Sequence, residues 1–170
     1  MLKALVVKVA GASGILTVNV PDNVEVSVEF HQESNLIQID GNYFRRVIIN
    51  LLTNAVQAMP EGGKLSVKGE KIDGKSSITI TDTGTGISEE NMSKLFTPLF
   101  TTKAKGTGLG LAVCKRIVDA HNGVISVESV EGEGTSFKVL IPEVAESTEL
   151  SLEVPAGEEM VEPARETVNA

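Results

Sequence analysis

The chain has 170 residues, 41% of them hydrophobic and 22% charged, a balance that fits one globular domain with some chain to spare. No stretch approaches the roughly 20 apolar residues of a spanning helix, and a single cysteine, Cys114, cannot form an internal disulfide, so the sequence predicts a soluble protein suited to the reducing cytoplasm. The formal charge of −8 argues against a broad nucleic-acid surface and, taken as an average, against a phosphate-bearing ligand.

Residues 2–10 are apolar and end in a Gly/Ser break at 11–14; their pattern does not distinguish helix from strand, and residues 1–20 read as a lead-in from a preceding domain. Residues 24–30 alternate Val, Glu, Val, Ser, Val, Glu, Phe, the period-two signature of a strand with one buried face. Residues 36–39 suggest a second, short strand. Over 43–59 the apolar positions Phe44, Val47, Ile48, Leu51, Leu52, Ala55, Val56 and Met59 recur at helical spacing and predict an amphipathic helix. Pro60 and the Gly62-Gly63 pair end it. Strands follow over 64–70 and 77–81, joined by a hairpin loop around Gly74. A second helix spans about 108–121, stopping at Asn122-Gly123, and strands over 124–128 and 136–141 flank a turn at 131–135. From 143 onward the chain holds eight Glu, one Arg and no aromatic residue, the composition of an acidic flexible tail. The domain therefore ends near 142 and the tail spans 143–170. Strands and helices are segregated, which is an α+β order. The acidity also belongs to the tail: residues 143–170 carry a net −7, leaving −1 for residues 1–142. Within the domain Lys103, Lys105, Lys115 and Arg116 gather around a glycine loop, with no acidic residue from Phe96 to Val118.

Three stretches carry candidate chemistry. Asp82-Thr83-Gly84-Thr85-Gly86-Ile87 ends a strand on a carboxylate followed by two glycines, which let backbone approach a flat ligand. That carboxylate suits an amino group such as adenine's exocyclic amine better than a phosphate; by itself the motif reads more readily as an ordinary turn. The run from Lys103 to Leu111 has two lysines, three alternating glycines and then a helix, the composition of a phosphate cradle at a helix N-terminus. On the first helix, Asn50, Asn54 and Gln57 share a face. Such a stripe is either the solvated side of the helix or, through an amide oxygen, a ligand for a hard cation such as Mg²⁺; spacing alone favours the solvated side.

The ordered set NLLTNA (50–55), DTGTGI (82–87), LFTPLFTTK (95–103), GTGLGL (106–111) and GEGTSF (132–137) resembles the ATP-binding catalytic domain of two-component sensor histidine kinases, in the GHKL superfamily that includes gyrase-type ATPases, Hsp90 and MutL. The resemblance covers residues 21–142. It implies a two-layer α/β sandwich, the Bergerat fold, whose mixed sheet is covered on one face by helices and whose ATP lid is a mobile segment over 89–109. It also implies ATP and Mg²⁺ as cofactors and a set of site residues. Asn54 would hold Mg²⁺ with Asn50 beside it on the phosphate side, and Asn50, Asn54 and Lys103 would be the catalytic group. Asp82 would take the adenine amine, with Gly84, Gly86 and Ile87 lining the base pocket and Thr135 supporting it. Phe96 and Phe100 would anchor the lid, while Thr102, Lys103, Lys105, Gly106, Thr107, Gly108, Leu109 and Gly110 would meet the phosphates. Leu99 departs from the family, where a second Phe is common.

In the hydrolytic relatives an acid stands one helical turn before the metal-binding Asn, where this chain has Asn50, which cannot act as a base. The resemblance thus implies a protein histidine kinase catalytic domain that donates the γ-phosphoryl to a histidine on a dimerisation and phosphoacceptor domain, beginning a phosphorelay to a response regulator. His31 and His121 lie in no acceptor motif, so the chain alone is expected to be inactive in autophosphorylation. The resemblance further implies a monomer without direct membrane contact, and the charge argues against nucleic acid. The alternatives are a nucleotide-gated, anti-sigma-factor-like regulatory module and a gyrase- or Hsp90-type ATPase. Cys114, among the apolar residues of the last helix, reads as core.

Overall fold

The computed structural model describes residues 2–8, 15–30, 41–103 and 106–142; His31, the strand expected over 36–39, Lys105 and the tail 143–170 lie outside the described residues. Along the chain run β1 (Leu2–Lys8), β2 (Ile15–Pro21), β3 (Val24–Phe30), α1 (Gly41–Gln57), β4 (Gly63–Ile72), β5 (Lys75–Asp82), the single turn α2 (Glu89–Met92), α3 (Gly110–Ala120), β6 (Val124–Val130) and β7 (Gly134–Pro142). β1 and β2 pair antiparallel, and the remaining strands form one sheet in the order β3-β4-β5-β7-β6. It is mixed: β3 runs parallel to β4, and the other neighbours are antiparallel.

Alternation decides which face of this sheet is dry. Leu65 and Val67 of β4, Ile80 of β5, and Phe137, Val139 and Ile141 of β7 are buried on one face. They meet the apolar stripe of α1, from Phe44 to Ala55, and Cys114, Ile117 and Val118 of α3. The intervening residues point the other way, where Lys64 pairs with Glu25 at 3.5 Å and Lys68 with Glu29 at 3.4 Å across the β3/β4 register. Those exposed pairs contribute well under about 1 kcal/mol each, whereas each fully buried Leu or Ile of the α1 stripe contributes about 2 kcal/mol on area grounds. The helix-covered face therefore holds the fold together. This is the α+β Bergerat fold.

Local chemistry explains the joints. Asp73 and Gly74 both take positive φ, 50° and 69°, in a two-residue hairpin closing Ile72 onto Lys75. α3 ends at Ala120, one residue before the expected 121, and Asn122, with a φ of 54°, turns the chain as its N–H reaches the Asp119 carbonyl and the Gly123 N–H reaches Val118. The N-terminal stretch, whose sequence left helix and strand open, holds β1 and β2, and Val18 and Val20 of β2 are buried in the main core. α3 starts at Gly110 instead of 108, because the Gly108 carbonyl bonds across to the Leu99 N–H at 3.0 Å and not along a helix.

Candidate functional site

β5 lies inside the sheet between β4 and β7 and ends on Asp82, 4% exposed, with Oδ1 accepting the Gly84 N–H at 2.9 Å. Burial pushes its carboxyl above the usual 3.8, against the opposing pull of hydrogen bonds from the Gly84 and Thr135 backbone and of the Lys103 charge. The loop beyond is held from two sides. The Thr85 N–H donates to the Ala58 carbonyl at 2.9 Å, and the Gly132 N–H donates to the Thr85 carbonyl at 2.8 Å. Glycine is required at 86, where φ is +66° and a Cβ would stand 2.1 Å from the Val130 oxygen. Gly84 is required by approach alone, its Cβ position falling 2.4 Å from the Ala58 oxygen. Ser129 closes the structure: its Oγ accepts the Ile87 N–H at 2.9 Å, donates to the Gly134 carbonyl at 2.7 Å and lies 2.9 Å from the Thr135 hydroxyl. Sequence reasoning missed Ser129. Its signal was a polar residue on the same face of β6 as Ile125 and Val127, directly opposite Thr135.

Across the cleft, α1 presents amides. The Lys103 ammonium donates to Asn54 Oδ1 at 2.8 Å and to Gln57 Oε1 at 2.7 Å. Desolvation lowers its pKa from 10.5, although the residue as a whole is exposed. Its loop is tied by local bonds, Lys103 N–H to Thr101 Oγ1 at 3.1 Å and Gly106 N–H to the Lys103 carbonyl at 3.0 Å. Asn50 stands beside the start of α3, about a van der Waals contact from where a Gly110 Cβ would be, and its amide hydrogen-bonds to the Cys114 sulfur. Cys114 is fully buried, its thiol directed 3.8 Å to the Val47 carbonyl and pushed by burial up to about 11, which makes it an inert core residue.

These groups line one cleft of about 610 Å³, within the range of small-molecule sites. It brings together Asn50, Asn54, Asp82, Gly86, Ile87, Thr102, Lys103, Gly106, Thr107, Gly108, Gly110 and Thr135 of the sequence-derived set, with Phe100 on the wall. Three expected residues do not line it. Gly84 acts behind the wall through its N–H, Phe96 packs half-buried on the core, and Leu109 is exposed. Lys105 lies outside the described residues. Nor do Lys115 and Arg116 join the phosphate-side cluster: Lys115 is committed to Asp119 one turn along α3 at 2.5 Å, and Arg116 is exposed, so Lys103 is the cation of the cleft among the described residues.

No group of three His, Cys, Asp or Glu that could hold a metal occurs among the described residues. Asn54 Oδ1 nevertheless fits Mg²⁺, because it is a hard oxygen already directed to a positive charge in the cleft, and Mg²⁺ takes few protein ligands while keeping water and phosphate oxygens. The acids lining the cleft are Asp82 and Glu131, and neither is on α1.

Comparison with known proteins agrees with this geometry. Residues 39–145 match the family described as histidine kinase-, DNA gyrase B-, and HSP90-like ATPase. Sporulation kinase D of Bacillus subtilis is 41% identical over 121 residues, 71% of this chain and 24% of its own length. Sensor histidine kinase ZraS of Escherichia coli K12 is 42% identical over 120 residues, 69% of this chain and 26% of its own. The chain thus spans about a quarter of the length of these curated relatives. Among solved structures, the catalytic domain of histidine kinase ThkA superposes with a TM-score of 0.64 at 37% identity, covering 71% of this chain and 80% of that one. The mycobacterial sensor histidine kinase MprB follows at 0.61 and 30%, covering 71% and 82%.

Proposed function

Since the chain belongs to the histidine kinase-, DNA gyrase B- and HSP90-like ATPases, as an ATP-binding catalytic domain of the sensor histidine kinase kind, we propose that it binds Mg-ATP in this cleft and donates the γ-phosphoryl to a histidine of a separate phosphoacceptor domain. The observation that carries the reading is the polarity of one cleft: a buried carboxylate at the sheet end and an ammonium at the opposite wall. Adenine's amine donates to Asp82, and its flat face fits against backbone opened by Gly84 and Gly86. The triphosphate runs toward Lys103, Thr102, the Gly106–Gly108 backbone and the N-terminus of α3 at Gly110, where helix N–H groups face an anion. Mg²⁺ held on Asn54 with the phosphates supplies charge neutralisation at the transferring group.

The kinase reading is preferred to hydrolysis because α1 offers Asn50 and Asn54 and no carboxylate to activate water. In the transfer, the bond from the γ-phosphorus to the ADP oxygen breaks as the acceptor nitrogen bonds to phosphorus, and the imidazole proton passes to solvent. His121 is not that acceptor in this reading. Its Nδ1 lies 2.7 Å from the Ile117 carbonyl at the far end of α3, as in a structural cap. A response regulator then takes the phosphoryl from the acceptor. We place the domain in the cytoplasm; no helix among the described residues is long and apolar enough to cross a membrane. The test is calorimetric titration with ATP, ADP and GTP with and without Mg²⁺, followed by labelled-ATP transfer to candidate acceptor domains. Adenine-selective, Mg²⁺-dependent binding and labelling of an acceptor histidine are expected; steady acceptor-independent turnover would overturn the kinase reading.

A further inference from the structure

Gln57 belongs to none of the assigned groups, yet its oxygen makes the shorter of the two bonds to Lys103, 2.7 Å against 2.8 Å for Asn54. The two amides stand three residues apart on one face of α1 and converge on an ammonium 46 and 49 residues away in sequence. An ammonium has three donors, so this grip uses two and leaves one. Asn54 and Gln57 differ in what else is asked of them. An ammonium and a divalent cation on the same amide oxygen would repel strongly at contact distance, so Asn54 serves one at a time. Gln57 carries no such conflict.

We propose that Gln57 is a positioning residue that holds the Lys103 loop on α1 when Asn54 passes from the ammonium to a metal and triphosphate. This rests on the reading of Asn54 as metal ligand and Lys103 as phosphate contact. A neutral amide suits the role because its hold is firm enough to position the ammonium and weak enough to let its remaining donor turn to a phosphate. A carboxylate at 57 traps Lys103 by ion pairing, and an apolar side chain of similar size frees it.

Gln57 is exposed, so both Gln57→Glu and Gln57→Leu leave the core untouched. In the full chain without nucleotide, NMR exchange of the Leu99, Lys103 and Gly106 amides reads the loop, since their bonds close it. Exchange is expected to quicken several-fold in Gln57→Leu and to slow several-fold in Gln57→Glu; equal rates in all three proteins, or changes of the same sign, overturn the proposal. Gln57→Glu is also expected to weaken ATP binding by about tenfold in the native background and not in Lys103→Met. Equal weakening in both means simple repulsion of phosphate and overturns the trap. Adenosine affinity should be unaltered throughout. Failure of the native chain to bind any adenine nucleotide sinks the functional reading and leaves the exchange result standing, whereas normal ATP binding with unaltered exchange sinks only the role of Gln57.

Discussion

The two ends of the cleft are built differently. At the Asp82 end every group is fixed by sheet backbone: Asp82 ends β5, an interior strand of the sheet, and Ser129, Gly134 and Thr135 belong to the paired β6 and β7. At the Lys103 end the contacts are side chains reaching from a loop, and that loop's own bonds are short-range, apart from the Leu99–Gly108 pair, where Leu99 takes a φ of 66° and is 74% exposed. The difference teaches a division of labour. A rigid base selects a flat heterocycle by shape and one carboxylate, and an adaptable rim accommodates charge that changes during reaction. Substitutions at the rigid end should therefore change both stability and binding, and those at the rim binding alone.

The hardest test of that claim is Gly86→Val. It combines a left-handed φ with a Cβ position 2.1 Å from the Val130 oxygen, so the loop must leave its place. Destabilisation of about 3 kcal/mol and loss of nucleotide binding are expected, read by chemical denaturation and calorimetry. Next in size is Asp82→Asn. Losing a charged acceptor should weaken adenine nucleotides by roughly 100-fold, or about 2–3 kcal/mol. Stability should move the opposite way. Burial raises the Asp82 pKa above 3.8, and a group with a raised folded pKa supports folding fully below 3.8 and loses that contribution as pH rises through the folded value. The Asn variant escapes this loss, so its melting temperature should exceed the native one at pH 7, with the gap closing as pH falls toward 3.8. A variant that melts lower at pH 7 would show that the carboxylate's hydrogen bonds outweigh its desolvation.

This division also governs what could be read from residues alone. α1 was legible because seven apolar positions from Phe44 to Val56 share one helical stripe, and the Asp82 loop because a strand ending in a carboxylate and two glycines leaves few backbone options. The strand β2 was not singled out, although Val18 and Val20 lie in the core, because a Gly/Ser break separates it from β1 and hides the pair. Lys115 and Arg116 were drawn to the phosphates by proximity in sequence, and only the phase of α3 turns Lys115 to Asp119. Gln57 was read only as part of the helix stripe and Ser129 was missed, for a common reason: the bonds that tie them to the site, to Lys103 and to Ile87, span 46 and 42 residues, and no local pattern encodes such a meeting.

At the rim, Lys103→Met removes the cleft's cation among the described residues. ATP affinity should fall about tenfold, a loss of about 1.4 kcal/mol, with adenosine affinity unchanged. Stability should change little, since a partly exposed ammonium held by two neutral amides contributes little to folding. A drop in melting temperature comparable with that of Gly86→Val would show that the loop is as structural as the sheet end and would erase the distinction.

The finest test is Ser129→Ala, which deletes one oxygen from the rigid end. Ser129 Oγ satisfies two backbone groups, the Ile87 N–H and the Gly134 carbonyl, in a partly buried setting. Losing a net hydrogen bond or two there costs about 1 kcal/mol of stability. The Ile87 segment then loosens against β6, and both adenosine and ATP should bind a few-fold more weakly, measured by calorimetry on the same protein. Because Lys103 and its amide partners are untouched, the ratio of the two affinities should stay at its native value, whereas Lys103→Met changes that ratio and leaves adenosine alone. Cysteine at 129 should restore less than threonine, since sulfur is the weaker hydrogen-bonding group. If Ser129→Ala shifts the ATP-to-adenosine ratio, the loosened base loop is felt at Lys103, and the two ends act as one coupled unit.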